Sequence, residues 1–111
     1  MKNVGVIGGG LIGASWAAIF SKSGFNVLVH DSHPEVFESF ESRVQLFLEE
    51  LKSIDDSINV EESLKRIKIN VTIEELCSGV NYIQESAPEI LSLKQELFAK
   101  LDNIYIIMLI M

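Results

Sequence analysis

The first 31 residues divide into a short apolar run, a longer mixed segment and a second short apolar run. Val4 to Ile7 is β-branched apart from Gly5 and stops at Gly8-Gly9-Gly10. A run of this kind, closed by turn residues, predicts a strand buried in a parallel sheet. Leu11 to Lys22 predicts a helix, with Gly24 placed as its C-terminal cap. Asn26 to His30 is a second apolar strand, and it ends at Asp31. Strand, helix and strand make a βαβ unit with parallel strands and a right-handed crossover.

Pro34 opens a longer helix, as proline does in a first turn. Phe37, Phe40, Val44, Phe47 and Leu51 recur at steps of three and four, one apolar stripe on an amphipathic helix. The stripe spans only two heptads, so packing onto the sheet is favoured over a coiled-coil seam. Ser53 to Asn59 is a polar connection and Val60 to Arg66 a short helix. Ile67, Ile69 and Val71 alternate with polar residues, which predicts a half-exposed strand near a sheet edge. Glu74 to Cys77 is a helical turn ended by Gly79, Tyr82 to Glu85 a strand, and Pro88 begins a helix reaching Leu101. The pattern is α/β: a Rossmann-type doubly wound parallel sheet, incomplete at its C-terminal end.

Composition narrows the class. At 111 residues, 48% hydrophobic and 23% charged, the chain has room for a single core, and neither disorder nor a fibrous architecture is indicated. A net charge of −7 and a pI near 4.7 argue against nucleic acid and anionic membrane as principal partners. Cys77 is the single cysteine, so no internal disulfide or zinc site is expected, which fits the reducing cytoplasm. The opening residues are no signal peptide, and the longest apolar run, Ile104 to Met111, is far too short to span a bilayer. Charge is uneven: residues 1–30 carry +2 with no acid, residues 31–66 carry −6. An acid-free opening suits an anion site, and equally a buried strand and helix with no room for charge.

Gly8, Gly10 and Gly13 have G-x-G-x-x-G spacing between the predicted strand and helix. In that fingerprint the first glycine makes the tight turn, the second lets a pyrophosphate approach the backbone, and the third lets helix and sheet pack closely. Amides at the helix start, those of Leu11 and Ile12 included, then face the phosphates. Alone the spacing is weak, because glycine-rich turns are common. Asp31 strengthens it: it ends the second strand 18 residues after Gly13, where a carboxylate can accept from both ribose hydroxyls of an adenosine. Ser32 and His33 bring no arginine for a 2′-phosphate, so NAD is expected rather than NADP. A helix-capping role for Asp31 before Pro34 is compatible with ribose binding.

Val6-Ile-Gly-Gly-Gly-Leu-Ile-Gly-Ala-Ser-Trp-Ala-Ala-Ile-Phe20 resembles the NAD-binding domain of the L-3-hydroxyacyl-CoA dehydrogenase superfamily. Ile83-Gln-Glu-Ser-Ala-Pro-Glu89 and Leu93-Lys-Gln-Glu-Leu-Phe-Ala-Lys-Leu-Asp102 agree, so the resemblance covers residues 3–103. Ser15-Trp16-Ala17 and Gln84-Glu85 are most similar to the short-substrate branch of 3-hydroxybutyryl-CoA, L-gulonate 3- (lambda-crystallin) and carnitine dehydrogenases. The resemblance implies that Glu89 and Lys94 contact the cofactor toward its nicotinamide half. Without it, they read as a first-turn acid and a solvated lysine.

The resemblance also implies what to look for beyond the glycine loop. Family members use a histidine held by a glutamate as general base, assisted by a serine and an asparagine, and all four fall after the end of this chain. No catalytic residue is therefore assigned, and His30 and His33 are expected to be strand-end or cap residues. The family's helical substrate and dimer domain is likewise expected to be missing. Residues 1–103 are read as the NAD-binding domain. Residues 104–111, Ile-Tyr-Ile-Ile-Met-Leu-Ile-Met, are read either as a short buried central strand or as an aberrant, truncated apolar end, the latter preferred. Two functions follow. One is the cofactor portion of an NAD-dependent dehydrogenase acting on an L-3-hydroxyacyl-CoA or short 3-hydroxy acid; the family is typically homodimeric, and the oligomeric state of this chain is left open. The other is a non-catalytic NAD-binding module or gene remnant.

Overall fold

Small side chains decide how the first helix meets the sheet. Gly13, Ala14, Ala17, Ala18 and Ser21 form the buried side of α1 (Leu11–Lys22), so its backbone sits close to the layer beneath. Ser23 caps the helix and Gly24 follows at φ +97°; the Gly24 and Phe25 amides donate to the carbonyls of Ser21 and Phe20. That is the Schellman arrangement, in which a left-handed glycine ends a helix without a Cβ clash.

The computed structural model describes residues 2–85 and 105–108. The described residues contain five parallel strands: β1 (Asn3–Ile7), β2 (Asn26–His30), β3 (Ile67–Lys68), β4 (Tyr82–Glu85) and β5 (Tyr105–Met108). Their order is β3-β2-β1-β4-β5. Strand order therefore reverses between β2 and β4, on the two sides of β1. In doubly wound sheets ligands bind at this switch point, outside the carboxyl ends of the strands.

Each face of the sheet carries its own core. On one, Val6, Val27 and Val29 meet Ala14, Ala17 and Ala18 of α1 and Phe40, Val44 and Leu48 of α2 (Phe37–Lys52). On the other, Ile7 and Ile83 meet Val71, Val80 and residues Ile73 and Leu76 of α4 (Ile73–Gly79). Between them in sequence, α3 (Val60–Lys65) is capped by Asn59, whose side chain accepts the Glu62 amide at 3.0 Å. Among the described residues no helix is long and apolar enough to cross a membrane.

The predicted β1, α1, β2 and β4 agree with the structure at or within one residue of their ends. Elsewhere it makes corrections. Pro34 opens a 3₁₀ turn, Pro34–Val36, and the α-helix starts at Phe37. The buried line of α2 is Phe40-Val44-Leu48; Phe47 and Leu51 flank it, half-buried. Leu48 lies in line with Phe40 and Val44 at i, i+4 spacing, which keeps it on the same face of the helix. The short third helix stops at Lys65, with Arg66 as its cap. The predicted edge strand shrinks to two residues: Asn70 takes φ +58°, and Val71 then joins the opposite core from Ile67 and Ile69. The turn at Glu74–Cys77 is a full helix, α4, entered through a capping box formed by Thr72 and Glu75. The helix expected after Pro88 lies outside the described residues. Tyr105–Met108 pairs in parallel with Tyr82–Glu85, so that part of the apolar end is a strand.

Candidate cofactor-binding site

Gly8 leaves β1 at φ +115°, a conformation open to glycine, and its amide donates to the His30 carbonyl at 2.8 Å. Gly9 follows, and its amide donates to Oδ2 of Asp31 at 2.7 Å. A Cβ at Gly9 would stand 2.6 Å from Cγ2 of Val36 and 3.1 Å from the Phe37 ring. The loop is thus bound and buttressed by the segment that follows β2.

Gly10 differs from both. It is the N-cap of α1 at φ −79° and ψ −163°, values any residue can adopt, and a Cβ there would meet no protein atom within 4 Å. No side chain caps the helix and no acid lies in its first turn. The first helical bond runs from the Ala14 amide to the Gly10 carbonyl at 2.9 Å. Amides of Leu11, Ile12 and Gly13 precede it, where a helix offers no acceptor of its own. Leu11 is 61% exposed at the helix start, Ile12 is half-buried and Gly13 is buried. The end of α1 presents donors and a positive dipole to open space, an environment suited to an anion.

Asp31 stands beside this opening, its side chain 14% exposed. Oδ2 accepts from Gly9, and Oδ1 accepts the His33 amide at 2.8 Å. The second bond closes an Asx turn rather than capping the helix from its N-cap, which is His33. A carboxylate offers about four acceptor positions, so about two remain for further donors, the number a ribose diol brings.

The two histidines are occupied otherwise. His30 ends β2, and its Nδ1 donates to the Val71 carbonyl at 2.7 Å. His33 is exposed, its Nδ1 3.1 Å from the Ser32 hydroxyl and 3.5 Å from Asp31. At the carboxyl end of β4, Gln84 and Glu85 are buried, and among the described residues Nε2 of Gln84 has no hydrogen-bond partner.

Six of the eight predicted cofactor-site residues are described, and Gly8, Gly10, Leu11, Ile12, Gly13 and Asp31 lie together at the carboxyl ends of β1 and β2. Glu89 and Lys94 lie outside the described residues. Sequence reading passed over Gly9, an unconstrained position in the fingerprint. Its signal was the uninterrupted triple glycine, which leaves no side chain to oppose Val36. Arg66 was also missed: its Nη1 donates to the Ser21 carbonyl at 2.7 Å, placing a cation at the C-terminal end of α1.

Fold and loop together define a dinucleotide-binding domain of the Rossmann type. The family described as "3-hydroxyacyl-CoA dehydrogenase, NAD binding domain" matches residues 3–110, and the chain belongs to it. Its cofactor is accordingly NAD. The match runs past residue 103, so most of the apolar end falls within the family pattern.

Human lambda-crystallin homolog is 38% identical over 103 residues, covering 89% of this chain and 32% of the relative. L-Carnitine dehydrogenase of Streptomyces griseus is 31% identical over 102 residues, covering 92% and 30%. Among solved structures, (S)-3-hydroxybutyryl-CoA dehydrogenase of Ralstonia eutropha superposes with a TM-score of 0.79 over 97% of this chain and 40% of that one, at 22% identity. The chain spans about a third of the length of the curated relatives it matches.

Proposed function

We propose that this chain forms the NAD-binding part of an oxidoreductase that removes hydride from the 3-hydroxyl carbon of an L-3-hydroxyacyl-CoA or a short 3-hydroxy acid. One observation carries the site assignment. Gly10 has an ordinary backbone conformation and open space around it, so the fold does not require glycine there, and a ligand lying against the backbone does. Amides of Gly10, Leu11 and Ile12 hold the pyrophosphate, with Gly8 turning the chain and Gly13 seating the helix. Asp31 accepts from the adenosine ribose. Glu89 and Lys94, by the family pattern, serve the nicotinamide half.

When bound, NAD supplies a hydride-accepting ring. The described residues bind and orient; the proton-transferring group belongs to the remainder of the family architecture. Cytoplasmic placement and a small-molecule hydroxy-acid or acyl-CoA substrate complete the reading. It draws on the single cysteine and on the family.

The test is equilibrium titration of the chain with NADH and NADPH. Clear preference for NADH is expected, and Asp31→Ala should erode it, because the 2′-phosphate no longer meets a carboxylate. Equal affinity of the unaltered chain for both would overturn the assignment of Asp31.

A further inference from the structure

We infer that Asp31 is a positioning residue for the pyrophosphate loop, in addition to the ribose contact proposed above, on which this inference rests. The Gly9 amide would be a natural phosphate donor, but it is already committed to Oδ2 of Asp31 at 2.7 Å. The same carboxylate is anchored through Oδ1 by the His33 amide at 2.8 Å, so it cannot drift with the loop. Two further restraints come from the same segment: the Gly8 amide bound to the His30 carbonyl at 2.8 Å, and Val36 seated against Gly9. The strand that ends in the ribose-reading acid thereby also shapes the loop that receives the phosphates. Gly10, Leu11 and Ile12 are left as the phosphate donors.

Sign separates this role from ribose recognition. Asp31 is an anion close to a dianionic group, so by charge alone its removal should strengthen phosphate binding. If instead it holds the loop, its removal weakens phosphate binding even for a ligand with no ribose hydroxyls. The probe is 2′,3′-dideoxy-ADP, which keeps the pyrophosphate and lacks both hydroxyls, with NADH as reference.

Asp31→Ala is expected to lower dideoxy-ADP affinity roughly 10- to 100-fold, the range for losing a hydrogen bond to a charged group. Asp31→Asn keeps one acceptor oxygen and should recover part of the loss. In the unaltered chain, hydrogen exchange should show the Gly9 amide protected and the Gly10 amide exchanging freely. Unchanged or tighter dideoxy-ADP binding by Asp31→Ala would overturn the inference while leaving ribose recognition intact. So would a Gly9 amide that exchanges as fast as that of Gly10, a measurement that needs no variant. Failure of the unaltered chain to bind NADH would instead remove the proposed function itself.

Discussion

α4 enters from Thr72, whose hydroxyl accepts the Glu75 amide at 3.1 Å while the Glu75 carboxylate accepts the Thr72 amide at 3.2 Å. α3 enters from Asn59 in a similar way, with two acids in its first turn. α1, the longest of the three at 12 residues, enters from a glycine with no cap and no acid. Two helices satisfy their own first amides with side chains from the chain itself. The third leaves them without a side-chain acceptor, where the proposed pyrophosphate would lie. α2 also lacks a side-chain cap but carries Glu38 in its first turn, so among the α-helices of the described residues α1 alone starts with neither a cap nor an acid.

The contrast breaks most visibly at Gly10. Gly10→Val should weaken NADH binding by about 100-fold or more, because the added carbons stand where the proposed pyrophosphate would lie. Its thermal unfolding should shift by less than about 1 kcal/mol, as expected for an N-cap change into open space. Affinity equal to the parent's would reduce the loop to a turn.

Gly9→Ala reverses the order of effects. Its methyl would sit 2.6 Å from Val36, so stability should fall by about 1–3 kcal/mol. A denaturation midpoint that does not move would show that Val36 yields freely. The smallest effect belongs to α4. Thr72→Ala should cost about 1 kcal/mol and leave NADH affinity unchanged, since α4 covers the sheet away from the loop.

Glu75 adds a pH signature to that helix. The backbone hydrogen bond from Thr72 is the main influence holding its carboxyl below the ordinary value of 4.5, with nearby Lys68 a lesser one. Its depressed folded value means the contribution is present above 4.5 and is lost as pH falls through the lower folded value. Glu75→Gln should flatten that part of the acid-unfolding profile, and a profile identical to the parent's would remove the assignment.

Much of this layout can be read without coordinates, for identifiable reasons. β1, α1 and β2 are bounded by glycines and Asp31, residues whose backbone and side-chain demands are local. What escapes is what depends on contact between distant segments. Alternation at Ile67, Ile69 and Val71 places all three on one face, yet Asn70 adopts the left-handed conformation and sends Val71 to the other core. Leu48 and Phe47 both fit a helical apolar stripe, and only the packing of α2 in the fold shows that Leu48 is the fully buried one. Thr72-x-x-Glu75 was a readable capping box that the shortness of the segment hid. At the site, the spacing of Gly8, Gly10, Gly13 and Asp31 was visible, whereas the bond between Gly9 and Asp31 required the fold.

β1 lies in the middle of the sheet, yet it precedes both of its partner strands along the chain. Val4 to Ile7 pair with Val27 to His30 on one side, and on the other only with Tyr82 to Glu85. Until those last residues emerge, one edge of the central strand has its amides and carbonyls unpaired beside apolar side chains, a template for another nascent chain. Pairings so distant along the chain also close slowly. The interval between making the second strand and the fourth is therefore the vulnerable stage of biogenesis, and the speed of translation through residues 31–81 sets how long the nascent protein spends in it.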